Sequence, residues 1–266
     1  MSSLPDVLER IVAARSRSIE SGRQRLPSAP PEGSEDAGSL FLRALDQSER
    51  SSVIAEVKMG SPKLGSLVGR FDPEEQACRY SEAGAVALSV VVEPEFFYGS
   101  YELLERCRKA SGLPALAKDF VVDDRQIYRA SEVGASAILL IAALYQPEEL
   151  LRLSELVASL GCVPLIELHD AEDASKLYDS DREPRRSWEL VGVNNRDLRT
   201  FEVDLAPSIE LARSLPESAL LVAESGIAAR SDVERLERAG FDAFLIGEAL
   251  LTADDPAMKL RELSGR

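Results

Sequence analysis

Lys118 directly follows the apolar run 115–117, and Glu167 interrupts the apolar run 163–168 near its end. Glu56 and Lys58 alternate with Ala55 and Val57. Two residues apart in an extended strand, they point to the same side. Lysines and carboxylates gathered at one place supply both ends of a proton transfer, an ammonium acid and a carboxylate base. Partial burial lowers a lysine's pKa, so Lys118 is expected to shift toward the neutral range. Two plainer readings stand beside this one. Glu56 and Lys58 can form a structural ion pair, and Lys118 can be a surface lysine with only its stem covered.

Further polar residues recur at comparable places. Asn194 and Arg196 share a side and can bind a carboxylate or hydroxyls, or pair with neighbouring acids. Ser225-Gly226 and Gly247-Glu248 follow the last two apolar runs, and glycine there lets a backbone approach a ligand closely. Phe96, Phe97 and Tyr98 form an aromatic loop that suits an aromatic substrate or simple loop packing. His169 is read as a helix-start residue rather than a catalyst.

The elements that must position these groups are legible as an alternation. Eight short apolar runs occur, at 53–57, 86–92, 115–117, 137–141, 163–168, 190–193, 220–223 and 243–246. Runs that are apolar throughout suit parallel strands buried on both faces. Amphipathic stretches of helix length lie between them. Asp72-Pro73 is a helix-start signal, and Gln146-Pro147 offers the proline as well. Glycine closes several of the stretches, as in Ala83-Gly84-Ala85 and Ser111-Gly112-Leu113, where a left-handed C-cap is expected. Eight strand–helix units predict a closed (β/α)8 barrel of the α/β class, with a doubly wound open sheet as the alternative. No GxGxxG or GxxxxGK[ST] follows the first run, which weighs against the open sheet and a dinucleotide enzyme. In such barrels the chemistry lies at the C-terminal strand ends. Paired glycine loops after strands seven and eight commonly bind phosphate there.

Residues 4–25 read as a helix ahead of the barrel, with Val7, Leu8, Ile11 and Val12 at helical spacing. A proline-rich linker at 27–37 follows, then one further helical turn at 40–45. The expected organisation is one domain over 1–266. It comprises an N-terminal extension and linker at 1–50, a barrel core at 51–252 and a C-terminal helix at 253–266.

The bulk numbers narrow the partners. A formal charge of −15 repels nucleic acid and anionic membrane, so any phosphate must be held by local donors. No apolar run approaches the ~20 residues of a membrane helix. The three cysteines show no metal or disulfide spacing, which points to a reducing, cytoplasmic compartment. The single histidine leaves little room for a histidine-ligated metal or a catalytic triad.

Taken in order, the motifs are Ile54-Ala55-Glu56-Val57-Lys58 with Ser61-Pro62, Phe96-Phe97 with Gly99-Ser100, Lys118-Asp119-Phe120, Ile166-Glu167, Asn194-Asn195-Arg196-Asp197-Leu198, Ala223-Glu224-Ser225-Gly226-Ile227 and Phe244-Leu245-Ile246-Gly247-Glu248. This ordered set resembles indole-3-glycerol-phosphate synthase, from about residue 5 to residue 252. The resemblance implies a (β/α)8 barrel with an extra N-terminal helix. It also implies the decarboxylating, dehydrating ring closure of 1-(2-carboxyphenylamino)-1-deoxyribulose 5-phosphate in tryptophan biosynthesis, with no cofactor and no metal. It assigns Lys118 as the general acid, Lys58 as an assisting acid, Glu167 as the base and Glu56 as the group that orients the lysines. Asn194 and Arg196 match substrate contacts, and Phe97, Phe120, Leu139 and Leu245 match the apolar walls. Ser61, Ser225, Gly226, Gly247 and Glu248 match the phosphate cradle, the last through its backbone. The partner implied is a small phosphorylated substrate with an aromatic carboxylate, handled by a monomer or weak homo-oligomer.

Three departures accompany the resemblance. Met59-Gly60 and Lys63-Leu64-Gly65 replace the usual residues of the first loop. Val92 stands where the family usually has threonine, and the lost hydroxyl is expected to leave a neighbour of Glu56 or Lys58 short of a partner. The stretch 178–188 is longer than usual and is expected to elaborate the far end of the barrel. The alternatives for function are a phosphosugar isomerase on the same barrel, akin to phosphoribosylanthranilate isomerase, a specialised-pathway paralogue, or a non-catalytic partner subunit.

Overall fold

The computed structural model describes residues 6–31, 36–46, 51–62, 64–178, 184–185, 188–197 and 202–266. Lys63, Leu198, much of the 178–188 stretch and part of the 27–37 linker lie outside the described residues. Among the described residues, eight parallel strands close into a barrel. They are β1 (Ser52–Val57), β2 (Ala87–Val91), β3 (Ala115–Lys118), β4 (Ala137–Ile141), β5 (Val163–Leu168), β6 (Leu190–Asn194), β7 (Leu220–Glu224) and β8 (Ala243–Ile246). Neighbours pair in sequence order, and β1 closes the ring against both β2 and β8. The eight predicted runs are these strands, shifted by a residue at some ends, and the closed ring excludes the doubly wound alternative.

Alternate residues of each strand enter two separate apolar masses. Val53, Ala55 and Val57 belong to the shell between strands and helices. Ile54, Leu116, Leu139, Leu165, Val222 and Leu245 fill the barrel interior. Both faces of the strands are therefore buried, which is why the runs are apolar but for Glu56, Ser89 and Glu167.

The shell helices begin and end where the sequence signals stand. Asp72 caps helix Pro73–Ala83, accepting from the N–H of Glu74 and Glu75. Gly84 and Gly112 take φ of 98° and 71°, the left-handed form that lets each helix stop and the next strand begin. A C-terminal helix at Pro256–Ser264 packs on the outer face.

Among the described residues, two helices precede the barrel and serve opposite ends. Helix α1 (Asp6–Glu20) places Leu8 over the C-terminal mouth, in the same cavity wall as Lys118. Helix α2 (Ala37–Asp46) is longer than the single turn expected at 40–45. It seats at the N-terminal end, where Phe41 and Leu45 join the interior cluster. Gly38 permits this seat, because a Cβ there would come within 2.8 Å of the Val163 nitrogen. Its N–H donates to the Gly161 carbonyl at 2.8 Å.

Of the 178–188 stretch, Tyr178 pairs with Pro184 in an isolated bridge, and Trp188 is buried with its indole N–H on the Leu177 carbonyl. Trp188 stands just ahead of β6, at the end of the barrel away from the mouth.

Candidate active site

A cavity of ≈ 650 Å³ opens at the C-terminal strand ends. Apart from Ser61, every residue expected to catalyse or bind lines it: Glu56, Lys58, Phe97, Lys118, Phe120, Leu139, Glu167, Asn194, Arg196, Ser225, Gly226, Leu245, Gly247 and Glu248. Ser61 sits in a short hairpin, Gly60–Ser61 against Gly65–Ser66, and its hydroxyl accepts from the Leu64 N–H at 3.1 Å.

Charge inside the mouth is arranged around Lys118. Its ammonium donates to Glu167 Oε2 at 2.9 Å and to Glu224 Oε2 at 2.8 Å. Glu167 turns its other oxygen toward Asn194 Nδ2, 3.1 Å away. Beside this triad, Lys58 donates to Glu56 Oε1 at 2.7 Å. A Cβ at Gly192 would collide with the Glu224 carboxylate, and one at Gly247 with that of Glu56. These two glycines make the space in which the carboxylates turn inward.

The expected lowering of the Lys118 pKa is corrected here. Burial does push the ammonium down, but Glu167, Glu224 and Glu56 together outweigh it and hold Lys118 above its ordinary value. The acids that act on Lys118 come from β5, β7 and β1 rather than from its sequence neighbour Asp119, which turns to Arg15. Burial raises the Glu56 carboxyl, yet Lys58 and Lys118 bring it below its usual range. Glu167 is likewise raised by burial, and Lys118 with His169 drives it well below. Glu224 differs. Burial pushes it up, Lys118 pulls it back, and Glu167 pushes again, leaving it at about 7.

The walls are apolar and aromatic. The rings of Phe97 and Phe120 lie 6.0 Å apart at 30°. Glu93, fully buried, holds the Phe97 loop by accepting the N–H of Glu95, Phe96 and Phe97 at 2.7–3.0 Å. Tyr98 follows at φ 58°, and its ring occupies the space a Cβ at Gly60 would need. The departure at Gly60 is thus matched by Tyr98. The expectation for Val92 is overturned: its side chain belongs to the outer shell, so no partner of Glu56 or Lys58 is lost there.

Opposite the lysines, Ser225 and Gly226 adopt φ of 65° and 74°. Successive residues in the left-handed region, one of them not glycine, are costly and gather where function requires them. Asn195 supports the turn, donating to the carbonyls of Glu224 and Ser225 at 2.8 and 2.9 Å. Gly247 precedes the short helix Glu248–Leu251, and Glu248 reaches Arg196 at 2.9 Å.

Three contributors escaped the sequence reading. Glu224 is the one charged residue ending strand seven, but it was valued only for the turn after it. Asp119 was quoted beside Lys118 without a task. It takes Arg15 in a buried ion pair, and also Tyr101 at 2.8 Å and Gln126 at 2.9 Å. Arg15 itself lies on the apolar stripe of α1, four residues from both Ile11 and Ile19, and that spacing was the available signal. Among the described residues, no group of three or more His, Cys, Asp and Glu converges as a metal ion requires, and no helix is long and apolar enough to cross a membrane.

Comparison with known proteins agrees with this geometry. The family model for indole-3-glycerol phosphate synthase matches residues 8–263. The indole-3-glycerol phosphate synthase of Polaromonas sp. (strain JS666 / ATCC BAA-500) is 39% identical over 270 residues, spanning 98% of this chain and 99% of its own. That of Albidiferax ferrireducens is 39% identical over 266 residues, with 98% of each chain covered. That of Paracidovorax citrulli is 37% identical over 270 residues, covering 98% and 99%. With a closed barrel, a charged mouth and a family match over nearly the whole length, the chain belongs to the indole-3-glycerol phosphate synthase family.

Proposed function

We propose that this chain closes the pyrrole ring of indole-3-glycerol phosphate from 1-(2-carboxyphenylamino)-1-deoxyribulose 5-phosphate, releasing CO2 and water, as a step of tryptophan biosynthesis. The observation that carries the reading is Lys118 suspended between Glu167 and Glu224 at the floor of the cavity. The aromatic ring of the substrate lies against Phe97, Phe120, Leu139 and Leu245, and Lys58 meets its carboxylate. Asn194 and Arg196 hold the sugar portion. The phosphate rests on the backbone of Ser225, Gly226, Gly247 and Glu248, with donors that an acidic protein must supply locally. Ser61 joins this cradle only if its hairpin moves toward the cavity.

Lys118 protonates the substrate carbonyl oxygen as the carboxylated ring carbon attacks. Loss of CO2 restores the aromatic ring. Lys58 then assists departure of hydroxide while Glu167 takes the proton. An ammonium held high by three carboxylates is a reluctant donor, since proton transfer is best matched when acid and task lie near the same pH. Glu224, at about 7, is the neighbour able to return a proton to Lys118. Shared proton traffic between the two therefore replaces a lysine of lowered pKa.

All of these groups come from one chain, so a monomer suffices and a weak homo-oligomer would add nothing to the site. We read 1–266 as one domain working in the cytoplasm, without a cofactor. Expression in a tryptophan auxotroph lacking this ring closure tests the role. Growth without tryptophan supports it, and failure to grow with abundant folded protein contradicts it.

A further inference from the structure

His169 is the single histidine of the chain, and the ring closure as written above leaves it without a task. It follows the last residue of β5 and precedes Asp170, which caps the short helix Ala171–Ser175. Its ring does not face solvent as a helix-start residue's would; the side chain is 12% exposed and turned back beside Glu167. Nε2 lies 3.2 Å from Glu167 Oε1, and Nδ1 lies 3.6 Å from Asp173 Oδ2. Neither ring nitrogen is aligned for a hydrogen bond, so the attraction is one of charge rather than of a directed bond. Asp173 is itself fixed. Its Oδ2 takes the His169 backbone N–H at 3.1 Å and its Oδ1 takes Lys176 at 3.0 Å. Lys176 also reaches the Ala142 carbonyl at 2.8 Å, which ties the arrangement to the turn after β4.

We propose that His169, braced from behind by Asp173, is a positioning residue that holds the Glu167 carboxylate toward Lys118. The consequence is an asymmetry. Two carboxylates share one lysine, and like charges at such a site favour a proton on one of them. His169 stands behind Glu167, and among the described residues no second cation pairs with Glu224 beside Lys118. Glu167 is kept ionised and fixed as an acceptor, and the exchangeable proton falls to Glu224. The charged and titratable groups around the imidazole are Glu167 on its own strand, Asp173 and Lys176 from the following helix and turn, and Lys118 with Glu224 across Glu167. Burial lowers the imidazole pKa, but Asp173 and Glu167 raise it further, to about 10.

This inference rests on Glu167 serving as the base of the proposed reaction, and its test separates the two. With one histidine in the sequence, an imidazole NMR signal from the ligand-free, full-length protein is assigned without mutagenesis. It is expected to report an imidazolium at pH 7 and to titrate only well above; a neutral ring at pH 7 overturns the proposal. That measurement holds whether or not the protein turns over the substrate. The second arm compares pH profiles of kcat for the wild type, His169→Gln and Asp173→Asn, with thermal melts to verify folding. His169→Gln is expected to move the acidic limb up by about one unit, a tenfold loss on that side, with KM changed less than about twofold. Asp173→Asn is expected to move it the same way by less. A purely structural histidine would lower the melting temperature and leave the limb in place, and that result overturns the proposal. Should His169→Gln fail to fold, Asp173→Asn alone decides: an unshifted limb overturns the inference. An inactive wild type with a charged His169 would instead sink the lyase reading.

Discussion

The two ends of the barrel are closed by different means. At the N-terminal end α2 lays Phe41 and Leu45 onto the apolar interior, and the contact is one of shape and burial. At the C-terminal mouth α1 is held by charge. Arg15 reaches down to Asp119, the residue after Lys118, and Asp119 also takes the Phe120 backbone N–H at 2.9 Å. The first seat is indifferent to the chemistry. The second shares its acceptor with the segment that carries Lys118 and Phe120, so docking α1 and setting the site are one arrangement. Backbone strain divides the same way. The non-glycine residues at positive φ, Tyr98 and Ser225 among the described residues, both stand at the mouth.

Substitutions at each end should separate stability from turnover. Arg15→Met leaves Asp119 buried with its cation removed, and breaking such a pair costs about 3–5 kcal/mol. Denaturant unfolding is expected to register that loss, and steady-state kinetics a rise in KM as the α1 wall loosens. An unchanged KM would uncouple α1 from the site. Phe41→Ala at the opposite end is expected to cost a similar ~3–5 kcal/mol through the cavity it leaves. Here kcat and KM per folded molecule should not move, and a shift in either would erase the contrast between the ends.

The pH dependence sharpens the mouth further. A carboxyl raised to about 7 in the folded protein contributes stability that is fully present below its unfolded pKa of ~4.3 and is lost as pH rises through 7. Glu224 is therefore expected to depress the melting temperature between about pH 5 and 8 relative to Glu224→Gln. If Glu224 resupplies Lys118, wild-type kcat should fall about tenfold per unit above its pKa, and Glu224→Gln should flatten that limb. A limb that persists in the glutamine variant would assign it elsewhere. The smallest effect is expected at Val92. Val92→Thr buries a hydroxyl in the outer shell at about 1 kcal/mol, with no change in kcat. A kinetic gain would mean that this position reaches the mouth after all.

The contrast also explains what the sequence could tell. The barrel was legible because each strand is buried on both faces, and eight apolar runs with capped helices between them leave few other closures. Lys118, Glu167, Glu56 and Lys58 were legible because a charge ending an apolar strand is conspicuous. Their mutual effect was not. The direction of the Lys118 shift depends on Glu224, 106 residues away, and on which oxygen faces which nitrogen. Arg15 pairs with an acid 104 residues distant, and α2 is defined by its fit to the barrel floor rather than by its own pattern. Val92 was misjudged because it stands just past the end of β2, where the phase of the strand decides between shell and mouth, and a single motif position does not carry that phase. His169 was placed at its helix start correctly, but only the fold turns its ring toward Glu167.

The central claim is that Lys118 drives a ring closure in this mouth. Purified protein mixed with 1-(2-carboxyphenylamino)-1-deoxyribulose 5-phosphate should develop indole fluorescence, and Lys118→Met should slow kcat by about 10²–10⁴-fold, the usual weight of a general acid. No fluorescence from the wild type, or full activity in Lys118→Met, would contradict the account.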